Sequence, residues 1–160
     1  SVWTRIAIFV ATGLLLDAPL LVLAALMVPA RLVGPKPGNR LHHALSGPGV
    51  QRLVVVSSAS VGDSRGTGRF PAPWVLRTLL REVMADKEIQ EAAVRGSGLD
   101  WTIVRPVKMT NGPRTGRTQV GPALRWGLGS KVSRADVAAA VLETLSDANS
   151  IGAALTVTGP

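Results

Sequence analysis

A chain of 160 residues is long enough to bury one core, and with 46% hydrophobic but only 4% aromatic residues that core is built from Val, Leu, Ala and Ile, the palette of a parallel sheet flanked by helices. The absence of cysteine excludes disulfide staples, cysteine-ligated metals and a thiol nucleophile. A formal charge of +8, from 18 basic against 10 acidic residues, attracts polyanions, but the arginines are spread without interleaved aromatics, so no specific nucleic-acid partner is expected.

The first segment, RIAIFVATG at 5–13, predicts a short buried strand that turns at Thr12 and Gly13. From Leu14 to Val33 the chain stays apolar apart from Asp17 and Pro19, so 6–28 reaches the roughly 20 residues that a membrane span needs. An Asp near the middle of a span costs about 2.5 to 3.5 kcal/mol on insertion scales, and Gly13 and Pro19 break a regular helix. Two buried strands, near 5–10 and 20–27, fit the same letters and are expected in place of a membrane helix. A secretory signal is not expected either, with one Arg before an over-long apolar stretch, and a cytoplasmic setting is compatible with the composition. GPKPG at 34–38 is a loop, after which Asn39 can cap a short helix. His42 and His43 are neighbours on it and point apart, so they cannot act as an i, i+4 metal pair, and no metal site is expected.

VQRLVVV at 50–56 reads as a strand buried on both faces. Ser57 and Ser58 follow at its carboxyl end, where open parallel sheets bind their ligands, so both are candidate site residues, Ser58 foremost. The competing account is that the hydroxyls satisfy backbone groups at the strand end. After a Gly-, Ser- and Pro-rich loop, a helix over 74–95 carries the apolar stripe Leu76, Leu80, Val83 or Met84, and Val94. The same stripe passes through Lys87 and Glu91. A lysine on a buried face is costly unless its ammonium finds water, a ligand or a partner such as Glu91 or Asp86. Glycines at 96 and 98 end the helix, and 101–104 (WTIV) is the next strand, with Arg105 and Pro106 at its carboxyl end. Lys87, the serine pair and residues 105–108 are therefore expected around one cleft.

Residues 110–130 form a long basic, Gly-rich connection compatible with a substrate loop or partial disorder. Its GPRTG lacks the GK[ST] and following helix of a phosphate loop. Ser133 and Asp136 start a helix to about Leu145 in capping-box fashion, and 154–158 alternates as a closing edge strand. No internal repeat is present.

Three ordered segments, VQRLVVVSS, ADKEIQEAAVRGSGLDWTIVRP and SRADVAAAVLETL, make the chain resemble the NAD(P)H-binding atypical short-chain dehydrogenase/reductase group, the NmrA-like and flavin or biliverdin reductase-like proteins. The likeness covers about 50–145. It implies a single α/β domain over 1–160, a Rossmann-like doubly wound parallel sheet with NADP or NAD across its strand ends, NADP slightly favoured, and hydride transfer to an unknown small-molecule substrate. By the same resemblance Ser58 lies beside nicotinamide and substrate with Ser57 adjacent. Lys87 matches the lysine of the YxxxK motif that orients the nicotinamide ribose. Pro106, Val107 and Lys108 run along the nicotinamide, and Thr12 and Gly13 approach the pyrophosphate. Ser58 and Lys87 are the implied catalytic residues.

Two departures bear on activity. The family's tyrosine position is Val83, and the chain contains no Tyr, so Lys87 or solvent has to supply any proton. The family's GxxGxxG fingerprint reads Val10, Ala11, Thr12, Gly13, Leu14, Leu15, Leu16, with side chains where glycines permit the turn and the close helix. The adenosine-side βαβ units look deleted, joining the first strand almost directly to the fourth. The expectation is thus a reductase-like domain with impaired cofactor binding, the alternative being a non-catalytic NmrA-like regulatory or interaction domain. Apolar surface left by missing layers would favour a homo-oligomer.

Overall fold

A computed structural model of the chain describes residues 5–10 and 50–160. In chain order these form β1 (Arg5–Val10), β2 (Val50–Val56), a 3-10 turn (Gly62–Thr67), α1 (Ala72–Leu79), α2 (Arg81–Arg95), β3 (Asp100–Pro106), β4 (Lys108–Thr110), β5 (Gln119–Gly121), β6 (Lys131–Ser133), α3 (Arg134–Ser146), a second 3-10 turn (Ala148–Ser150) and β7 (Ala153–Thr158). The main sheet has the order β1-β2-β3-β7-β5, parallel throughout except for the antiparallel β5, and β4 pairs with β6 in a separate parallel ribbon. This is the α/β, Rossmann-like doubly wound architecture that the alternation of apolar strands and amphipathic helices predicts.

The unbroken apolar run of β2 is buried on both faces, Leu53, Val54, Val55 and Val56 being at most 1% exposed. Period-2 alternation sends its side chains to two cores. Leu53 and Val55, with Ile103 of β3, pack on Val94 of α2. Val54 and Val56, with Val104, pack on Val137, Ala140 and Val141 of α3. Buried Arg52 crosses between layers, donating to the Asp100 carbonyl (2.8 Å), the Thr144 carbonyl (2.6 Å) and Ser150 Oγ (2.7 Å).

β1 lies directly beside β2, from Ile6 opposite Arg52 to Val10 opposite Val56. The expected strand at 20–27, the Asn39 helix, Thr12, Gly13 and most of the 6–28 apolar stretch lie outside the described residues. Among the described residues no helix is long and apolar enough to cross a membrane.

The structure corrects three expectations. The helix expected over 74–95 is two helices, interrupted at Leu80 with φ −120° and ψ 33°. The buried face of α2 runs Met84, Lys87, Glu91, Val94, while Leu80 at the break is 42% exposed. β7 is not the edge, because β5 pairs outside it, Gln119 opposite Thr158. A three-residue strand with exposed Gln119 and Val120 has too short a pattern to be read. The 110–130 connection that contains β5 is ordered by Trp126, only 3% exposed, whose indole N–H donates to the Ser64 carbonyl (3.1 Å). Gly68 permits this approach, since a Cβ there would lie 2.8 Å from the Trp126 ring.

The start of α3 follows the capping-box expectation and adds to it. Ser133 Oγ accepts the Asp136 N–H (2.9 Å), and the Asp136 carboxylate also accepts from Thr115 N (2.9 Å), Thr115 Oγ1 (2.8 Å) and Gly116 N (3.1 Å), tying the basic connection to the helix. Burial opposes ionisation of Asp136, but the hydrogen bonds from Thr115, Ser133 and Gly116 win and hold its pKa at about 2. A pKa depressed on folding stabilises fully above the ordinary aspartate value, so this contribution is complete above pH of roughly 4 and is lost as pH falls through about 2. Ser133→Ala is expected to cost about 1 kcal/mol in urea unfolding at neutral pH. Asp136→Asn is expected to flatten the acid limb of stability, and an unchanged limb would assign acid unfolding to other carboxylates.

Candidate functional site

The carboxyl ends of β2 and β3 stay laced beyond the last strand residues. Ser57 N donates to the Val104 carbonyl (2.7 Å), and Ala59 N donates to the Pro106 carbonyl (3.0 Å). Ser58 is held between these bonds, half-buried, and its hydroxyl makes only a local bond to the Ala59 carbonyl (3.1 Å). Beside it opens a cavity of about 370 Å³. Ser58, Ala59, Pro106, Val107 and Lys108 line one part of it, Trp126, Gly127, Leu128 and Ser130 another, and Ala72 and Leu80 the rest. Val107 is fixed by donating to the Val157 carbonyl (3.0 Å). Val107 and Trp126 are buried, whereas Lys108 and Leu128 are exposed. An apolar concavity of this size with a few converging polar groups suits one small ring system.

A second polar cluster lies against the α2 side of the same strand ends. Lys87 is 5% exposed, and its ammonium donates to the Val56 carbonyl (3.4 Å) and Gln90 Oε1 (3.2 Å). Burial pushes its pKa down to about 8, against the opposing pull of Glu91. One turn further on, Glu91 binds Arg105 through both oxygens, accepting from Nε (3.0 Å) and Nη2 (2.6 Å). Arg105 is fully buried, and its Nη1 also donates to Asp63 (2.5 Å). Burial opposes the guanidinium charge, yet the hydrogen bonds it donates to Glu91 and Asp63 prevail and raise its pKa. The Ser57 hydroxyl is buried and has no hydrogen-bond partner among the described residues.

The residues expected around one cleft therefore fall into two adjoining groups. Ser58, Pro106, Val107 and Lys108 line the cavity, while Ser57, Lys87 and Arg105 are not among its lining residues. Arg105 alternates with Pro106 along β3 and turns to Glu91. Thr12 and Gly13 lie outside the described residues. Two participants escaped the sequence reading. Neither Trp126, within a Gly-rich connection, nor Asp63 carries a local signal before the loops are folded.

Residues 19–148 match the family model described as NAD(P)H-binding. The chain belongs to this family. Solved structures of similar fold include a short-chain dehydrogenase/reductase from Veillonella parvula DSM 2008 in complex with NADP, at 22% identity and TM-score 0.65 over 77% of this chain and 57% of that one. ChuY, an anaerobillin reductase from Escherichia coli O157:H7, matches at 25% identity and TM-score 0.57 over 70% of this chain and 52% of that one. SP1627 from Streptococcus pneumoniae TIGR4, described as a candidate NADH-flavin reductase, matches at 18% identity and TM-score 0.64 over 96% and 71%. No curated protein matches the chain. It spans between 53% and 57% of the first solved structures it resembles.

The depressed pKa of Lys87 has a measurable consequence. Between about 8 and the ordinary lysine value of roughly 10.4 the unfolded chain holds a proton that the folded chain has lost, so stability rises with pH across this window. The chain has neither Tyr nor Cys to titrate there. Urea unfolding from pH 8 upward (about 8 to 10.5) is expected to show this rise and to lose it in Lys87→Met; an equal rise in the variant would assign it to other lysines.

Proposed function

We propose that this chain is one NAD(P)H-dependent oxidoreductase domain over 1–160 that keeps the nicotinamide end of the binding site. The observation that carries the reading is the cavity at the carboxyl ends of β2 and β3, lined by Ser58, Pro106, Val107 and Lys108, in a chain of the NAD(P)H-binding family. In open α/β sheets this edge is where ligands bind. The volume fits a nicotinamide ring or a small acceptor rather than a whole dinucleotide. The unpartnered Ser57 hydroxyl and the buried Lys87 ammonium supply donors of the kind a ribose would need. The overall charge of +8 supports NADPH over NADH.

Bound NAD(P)H supplies the hydride. Ser58 orients the acceptor by its hydroxyl, Pro106 and Val107 close the apolar wall, and Lys108 at the mouth attracts an anionic group. Lys87 holds the cofactor side, and solvent returns the proton that no tyrosine is present to give. A second reading, a regulatory domain that binds cofactor without turnover, is favoured by Val10 and Leu16 in the glycine fingerprint. Exposed Phe70, Trp74 and Leu79 support self-association in either case.

Titration with NADPH and NADH is expected to change tryptophan fluorescence saturably, the response weakening in Trp126→Phe; no saturable change at millimolar cofactor would remove the binding reading. With NADPH, menadione and FMN serve as acceptor probes. Ser58→Ala is expected to lower kcat/KM by about tenfold to a hundredfold, and Lys87→Ala to weaken cofactor binding by about tenfold. Saturable binding with no oxidation of NADPH by either acceptor would select the regulatory reading.

A further inference from the structure

The mechanism above leaves the most deeply buried charge in the described structure without a task. Arg105 is 0% exposed, and its guanidinium joins three separate pieces of chain. Its own backbone ends β3, so Pro106, Val107 and Lys108 enter the cavity directly from it. Its Nε and Nη2 grip Glu91 of α2, one turn after Lys87. Its Nη1 reaches Asp63, the second residue of the 3-10 turn in the loop that begins with Ser57 and Ser58. The loop backbone also closes on the same group. Gly62 has φ +57°, and a Cβ at that position would lie 2.5 Å from Arg105 Nη2. Two residues earlier, Ser60 has φ +92°, a conformation that a non-glycine residue holds only when its surroundings enforce it.

A buried ion pair is not by itself a source of stability, because desolvation of both ions offsets their attraction, and an apolar pair of similar volume is often as stable. What an apolar pair cannot do is hold Asp63, which is 75% exposed at its side chain and gains little from packing. We propose that Arg105 is a positioning residue, fixing the 57–67 loop and α2 against the strand end that supplies the cavity wall, and so setting the placement of Ser58 opposite Pro106 and Val107. The functional half of this proposal rests on the oxidoreductase reading; the loop-holding half does not.

Two variants separate positioning from mere structural support. Glu91→Leu with Arg105→Met replaces the buried pair by apolar side chains, and Asp63→Asn changes only the exposed end. The expected result for the double variant is a thermal midpoint close to wild type, hydrogen exchange in Gly62–Thr67 faster by about tenfold, and KM for menadione or FMN raised by about tenfold with a smaller change in kcat. A double variant with wild-type exchange in that segment and wild-type KM would overturn the proposal. If the double variant fails to fold, Asp63→Asn decides: faster exchange confined to 57–67 with raised KM supports it, and unchanged exchange refutes it. Should wild type oxidise no NADPH, the exchange readout still tests the loop-holding role, so failure of the reductase reading is told apart from failure of this one.

Discussion

The arrangement at the sheet's carboxyl edge depends on one constraint, that a guanidinium removed from water must have all its charge met by protein. Arg105 stands at the end of a strand whose preceding residues, Thr102, Ile103 and Val104, are also fully buried. Solvent cannot reach it, and an isolated charge there would cost several kcal/mol in practice. The carboxylates therefore have to come from neighbouring elements, and they come from two, Glu91 on α2 and Asp63 on the loop after β2. Meeting one arginine's requirement sets the rotation of a helix and the course of a loop. Arg95 adds to the same cluster, lying 3.9 Å from Glu91 and 4.0 Å from Asp63 while its guanidinium stacks over Trp101.

Strand alternation then divides the edge into two compartments. Residues on one face of β2 and β3 continue into the α2 layer, where the buried polar groups gather, and residues on the other continue into the α3 layer. The cavity forms just beyond the second set, where β3 gives way to Val107 and Lys108 and the 110–130 connection folds back with Trp126. The indole joins both walls. It packs within the apolar core while its N–H holds the Ser64 carbonyl of the loop that carries Ser58.

Much of this was legible in the letters, and the reason is periodicity. The run VQRLVVV can only be a two-faced buried strand, and the spacing 84, 87, 91, 94 puts Lys87 and Glu91 on the buried side of α2, as the structure has them. Ser133 and Asp136 likewise announce a helix start by local chemistry alone. Three things were not legible because they arise from contacts distant in sequence. The break at Leu80 leaves no mark in the apolar spacing, β5 is too short to carry a pattern, and Asp63 acquires meaning only when Arg105, 42 residues away, turns toward it. Pattern reading also placed Arg105 in the cleft, since it sits beside Pro106. One step along a strand reverses the face, and that single step moves it from the cavity wall to the support behind it.

The same division bears on how a chain without tyrosine could complete a reduction. Lys87 is the only buried lysine among the described residues, and a pKa near 8 leaves it mostly protonated at neutral pH. Yet its ammonium is spent on the Val56 carbonyl and Gln90, and it does not line the cavity. A proton held there serves the cofactor side better than the acceptor. Around the acceptor the lining groups able to donate are the Ser58 hydroxyl, which is committed only to a local carbonyl, the Ser130 hydroxyl and exposed Lys108, with water entering past Lys108 and Leu128. On the proposed reading this favours acceptors whose reduced form is a stabilised anion, such as conjugated rings, because they take a hydride first and a solvent proton afterwards.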